Sequence, residues 1–129
     1  MLFSLTHLPA LVLITANLLG GIWPIFDAPA AMLEFGFGPK IAHAPEAMPV
    51  MINGQARTTV LGAITLVFYL RGKYEEVDTL MAVYGIWAGL VDSALVWKWT
   101  GNRRWAAFRL GASWAFGVWG LMGLTGGAV

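Results

Sequence analysis

The sequence predicts an all-α protein: a four-helix transmembrane bundle with an interfacial or re-entrant segment between helices 1 and 2. Three observations predict it. Apolar residues make up 58% of the 129-residue chain and charged residues only 12%, about half the charged share of an ordinary globular protein. Four apolar stretches each approach the ~20 residues needed to span a bilayer. The segments between them are short and charged, or rich in proline. A chain of this composition cannot cover its surface with polar groups, so lipid is the expected solvent. A spanning backbone must satisfy its own polar groups, which makes each stretch a helix.

The four helices are expected at about residues 5–26, 50–70, 79–99 and 105–124, in one integral membrane domain covering 1–129. The first begins without basic residues, carries His7, and reaches Trp23-Pro24 without a small-x-small cleavage site. It therefore reads as a retained helix and not a signal peptide. Helices 2 and 3 are joined by "RGKYEEVD", and helices 3 and 4 by "TGNRR". Residues 27–49 hold four of the six prolines, Pro29, Pro39, Pro45 and Pro49, which a regular helix does not accept without disruption. Within them "APAAMLEFGFG" is amphipathic and predicts a short helix ending at Gly36 or Gly38, a lid over one end of the bundle.

Four spans put both termini on one side, together with the Arg71–Asp78 turn. The opposite side carries the lid and Lys40, Lys98, Arg103 and Arg104. That excess of positive charge favours a cytoplasmic lid. The location expected is multi-pass in a membrane, an endomembrane such as the endoplasmic reticulum if the cell is eukaryotic.

Asp92 and Arg57 are the anomalies, because each is an ionisable group within an apolar stretch. An isolated charge at bilayer depth costs roughly 3 kcal/mol on insertion scales. Arg57 lies as many residues before Arg71 as Asp92 lies after Asp78. At about 1.5 Å per residue both sit roughly 21 Å from the shared turn, level in an antiparallel hairpin. A guanidinium and a carboxylate can satisfy each other, so the expectation is an Arg57–Asp92 pair beneath the lid. Gly85, Gly89 and Asp92 share one helix face, which directs Asp92 into the bundle. The pair also fits a purely structural staple, since buried ion pairs are weak evidence for function or stability.

Around the pair, Asn53 and Gln55 lie nearer the lid side, and Glu34 and His43 lie on the lid. Trp87 and Trp114 fall deep enough to line a cavity for a flat apolar ligand. Asn17 reads as an interhelical hydrogen bonder. The candidate catalytic set is Asp92, Arg57, Glu34 and His43; the candidate substrate-binding set is Asn53, Gln55, Trp87 and Trp114. Gly85/Gly89 and Ser113/Gly117 are small-residue pairs of the kind that let helices pack closely in lipid, and could support a homo-oligomer.

Several chemistries have no support. The absence of cysteine excludes disulfides, thiolate metal sites and cysteine nucleophiles. Two histidines expected on opposite sides of the membrane do not make a metal site. Phosphate-binding glycine loops and a nucleophile elbow are missing, and a net charge of +1 does not suit nucleic acid. Any catalysis is expected to be cofactor-independent, with Asp92, Glu34 or His43 moving protons and Arg57 stabilising negative charge.

The runs "NGQARTTVLGAITLVFYLRG" and "AGLVDSALVWKWTGN", with the preceding "FDAPAAMLEFGFGP", resemble a family of small four-helix integral membrane proteins of unassigned function. That family is common in fungi and DoxX-like in architecture; the matching positions are Gly54, Arg57, Gly62 and Asp92. The resemblance implies a role in secondary-metabolite biosynthesis. The leading expectation is an isomerase, cyclase or dehydratase acting on a hydrophobic small molecule in the bilayer. The alternatives are a non-catalytic accessory or scaffold protein, a cofactor-free oxygenase, and a small transporter, for which one buried pair offers no continuous polar path.

Overall fold

The computed structural model describes residues 5–127. It is all-helical: among the described residues a 3₁₀ turn, Leu5–His7, is followed by α1 (Leu8–Phe35), α2 (Pro39–Ala42), α3 (Ala47–Leu70), α4 (Tyr74–Thr100) and α5 (Arg103–Leu121). α1 and α4 are long and apolar enough to cross a membrane. Only 33% and 22% of their most apolar windows are buried inside the fold.

The short helix expected after the first span is present, as a kinked continuation of α1. α1 breaks at Asp27, whose φ of −153° and ψ of 81° leave the helical region. The Asp27 carboxylate accepts a hydrogen bond from the Ala30 amide at 3.1 Å and so caps a second helical segment. Pro29 falls in the first turn of that segment, where a missing N–H costs nothing. The segment ends at Gly36, in the left-handed region at φ 114°. Asp27→Ala is expected to cost about 1 kcal/mol, as loss of an N-cap does, read as a lower unfolding midpoint in detergent.

The other boundaries shift by a turn for local reasons. α3 starts at Ala47 because Pro49 is tolerated in a first turn. α4 starts at Tyr74 because Glu75 and Glu76 suit the positive end of a helix. α5 starts after Asn102, whose side chain accepts from the Trp105 amide at 3.0 Å. It stops at Leu121 because Asp78 takes the Thr125 and Gly126 amides, at 3.1 and 2.7 Å, into a turn.

The helices pack as two pairs, α1 along α3 and α4 along α5. Glycines permit both crossings. Gly21 lies against Thr59 and the Gln55 carbonyl, and Gly62 against Asn17 and Leu18. Gly85 lies against Ser113 and Gly117, and Gly89 against Ser113 and Trp114. The two small-residue motifs expected to offer an oligomer interface are thus each other's partners within one chain, which leaves those faces covered.

The pairs meet at both ends. At one end Ala10, Leu13, Val77 and Met81 pack together beneath Tyr69, Tyr84 and Trp119. There the Tyr69 hydroxyl is 3.0 Å from Nδ1 of the buried His7, and the Trp119 indole donates to the Thr6 carbonyl at 3.1 Å. At the other end Ala28, Met32 and Ala42 form the apolar underside of the lid. The Trp105 indole donates to the Phe35 carbonyl at 2.7 Å and ties the lid to α5. Between these two ends the helix pairs leave two cavities.

Candidate functional site

Two adjoining cavities, both partly open to the surroundings and called chambers below, lie along the two pairs. One, about 350 Å³, is lined by Asn17 and Gly20 of α1, Gln55 and Thr58 of α3, Tyr84 of α4 and Arg109 of α5. The other, about 510 Å³, lies under the lid against Met32, Phe37, Ile41, Leu95 and Trp99. Phe35, Met51 and Gln55 line both.

The charged pair stands at the junction. Arg109 Nη2 donates to Asp92 Oδ2 at 3.0 Å, with 24% and 21% of the two side chains exposed. Asp92 lines the apolar chamber and Arg109 the polar one. The guanidinium carbon lies 3.9 Å from the centre of the Phe35 ring, a cation–π contact that holds the cation's plane. Arg109 Nε is buried and has no hydrogen-bond partner among the described residues, so one donor of the fork is unspent.

The local sequence explains why these groups converge. On α3, Met51, Gln55, Thr58 and Gly62 recur at helical spacing and face α1 and the chambers. On α4 and α5, Gly85 opposes Gly117 and Gly89 opposes Ser113. Continued one turn, that register brings Asp92 beside Arg109. The small-residue contact therefore sets both the distance between the helices and the partner of the carboxylate.

Several expected site residues stand elsewhere. Arg57 does not pair with Asp92: it is exposed, and its Nη1 donates to the Asn53 carbonyl at 2.9 Å on its own helix. Depth along α3 is not at fault. Arg57 lies two residues from Gln55, roughly 200° around a helix, so it points away from the chamber. Asn53 is exposed for the same reason. Trp87 is 68% exposed, two residues from the buried Gly85 and on the outward face. Trp114 sits on the α4–α5 seam, its indole donating to the Ile86 carbonyl at 3.2 Å, outside both chambers. His43 is exposed at the end of α2 and lines neither chamber.

Asp92, Gln55 and Glu34 are brought to the chambers, with Glu34 exposed at the rim of the polar one. The residues that sequence reasoning missed are Arg109, Tyr84, Thr58 and Trp105. The signal for Arg109 was present in the glycine register of α4 and α5. No comparable signal marks Tyr84 or Thr58, which read as ordinary helix residues.

Chemically, the arrangement places a carboxylate against an apolar chamber, with a cation beside it. The carboxylate can take or return a proton, and the guanidinium can stabilise negative charge developing on a neighbouring oxygen. No group of three or more potential ligand side chains that could hold a metal occurs among the described residues.

No curated protein and no solved structure matches the chain. A family model does match, over residues 15–123, and it carries no DoxX-like or fungal assignment. Through that match, which spans the helices building both chambers, the chain belongs to the family described as a domain of unknown function, DUF4267.

Proposed function

We propose that this is a multi-pass membrane enzyme whose four long helices form a transmembrane bundle. It acts on a hydrophobic small molecule by cofactor-independent acid–base chemistry. Exposed apolar side chains on every long helix support the bilayer setting, among them Phe26, Val60, Val83 and Leu121. The excess of Lys40, Lys98, Arg103 and Arg104 at the lid end supports a cytoplasmic lid.

One observation carries the catalytic reading: the Asp92–Arg109 pair sits at the junction of two chambers, within helices that already pack closely through glycine. A staple there adds little to a crossing that Gly85 and Gly117 secure. In an isomerisation, Asp92 removes a proton from carbon beside a carbonyl and returns it at another carbon. Arg109 stabilises the intervening enolate, and no oxidant or reductant is needed.

The test compares extractable metabolites of a deletion strain, its parent, and strains complemented with wild-type protein or Asp92→Asn at equal expression. Deletion should accumulate a precursor that the wild type clears. Asp92→Asn should clear it about 10²–10⁴-fold more slowly, as loss of a general acid or base does. Full rescue by Asp92→Asn would remove the acid–base assignment. Unchanged metabolites throughout would favour a second reading, an accessory membrane module. That reading draws on an apolar groove of about 610 Å³ outside the α4–α5 seam, lined by Leu90, Trp97 and Leu110.

A further inference from the structure

We infer that the two chambers form one bipartite site for an uncharged amphiphile, with a hydrogen-bond-accepting oxygen head and an apolar body. The inference rests on the small-molecule reading above and names the substrate class.

The first ground is continuity. Phe35, Met51 and Gln55 belong to both walls, so the chambers adjoin. Met51 is unbranched and adaptable, the kind of residue that repacks around a ligand. Each volume falls within the roughly 300–1,000 Å³ of small-molecule pockets.

The second ground is polarity. Under the lid the walls are Met32, Phe37, Ile41, Leu95 and Trp99, which suit a hydrocarbon body. Across the partition are Asn17, Gln55, Thr58, Tyr84 and Arg109, which suit a head. Donors that a carbonyl or ether oxygen can reach are the Gln55 side-chain amide and the exposed part of the Arg109 guanidinium.

The third ground is charge. Arg109 is already neutralised by Asp92 at 3.0 Å, and Glu34 adds a carboxylate at the rim. An anionic head would meet two carboxylates and a cation already engaged. An ammonium head offers no acceptor to the Gln55 amide and would face the Arg109 cation. An uncharged oxygen function satisfies the donors without either conflict.

The experiment uses full-length protein in nanodiscs and follows tryptophan fluorescence, since Trp99 lines the apolar chamber and Trp23 and Trp105 the polar one. The probes are 2-dodecanone, dodecane and dodecanoate. The ketone should bind with a Kd at least ~10-fold lower than either of the others. A Cβ at Gly20 or Gly54 meets nothing within 4 Å, so each chamber can be filled separately. Gly20→Leu, and independently Gln55→Leu, should abolish the preference for ketone over alkane. Gly54→Leu should keep that preference and favour 2-octanone over 2-dodecanone. Equal binding of the three probes, tightest binding of dodecanoate, or selectivity unchanged in all three variants overturns the inference. Full rescue by Asp92→Asn in the metabolite test would refute the catalytic role and leave this selectivity standing.

Discussion

Replacing Arg109 with glutamine is expected to destabilise the protein by about 3 kcal/mol, whereas Arg57→Gln changes stability by less than about 0.5 kcal/mol. The asymmetry follows from the surroundings. Without Arg109, Asp92 retains only 21% exposure and loses the one hydrogen bond its carboxylate makes among the described residues. An uncompensated charge in such a place is the costly outcome, more than the loss of the pair's attraction. The figure is at the low end for buried pairs because Arg109 keeps 24% exposure. Arg57, by contrast, is exposed and bonded only within its own helix. Removing both charges together, as Asp92→Asn with Arg109→Gln, should restore most of the lost stability while abolishing the proposed turnover. Thermal unfolding in detergent measures the three stabilities. Comparable destabilisation by Arg57→Gln and Arg109→Gln would contradict the assigned pairing.

Gly85→Val should be at least as damaging, at about 3 kcal/mol or more. A Cβ at Gly85 would lie 2.6 Å from both the Gly117 nitrogen and the Ser113 carbonyl oxygen. Both are backbone atoms in the middle of α5, so no side-chain rotation relieves the overlap and the two helices must separate. Separation also carries Arg109 away from Asp92, so stability and ligand binding should fall together. Gly111 is the control on the same hairpin. It is helical, a Cβ there meets nothing within 4 Å, and Gly111→Ala should be neutral or stabilising by up to ~1 kcal/mol through helix propensity. An unfolding midpoint for Gly85→Val within a degree or two of wild type would show that α4 and α5 do not cross where Gly85 meets Gly117.

The two expected results mark the two kinds of information involved. Gly85 and Gly89 are visible in the sequence as a motif, and their spacing directs Asp92 into the bundle. Once α4 is seen to pack on α5, the same motif gives the register with Ser113 and Gly117, from which Arg109 follows. Arg57 is the more conspicuous candidate because it lies among Asn53, Gly54 and Gln55. Counting residues from a shared turn gives depth along a helix but no direction around it. Arg57 and Gln55 have nearly the same depth and opposite directions, and only Gln55 reaches the chambers.

What the sequence by itself determined was the all-helical class, the order of the long helices, a short helix before a glycine stop at Gly36 or Gly38, of which the structure uses Gly36, and the inward face of Asp92. These follow from apolar run length, from proline and glycine chemistry, and from spacing along one helix. Each depends only on residues close in the chain. The tertiary structure alone decided that the helices pair as α1 with α3 and α4 with α5, and that Asn17, Gln55, Thr58, Tyr84 and Arg109 line one chamber. Those outcomes depend on how each helix is rotated about its own axis, and that rotation is set by the glycine contacts between helices distant in sequence.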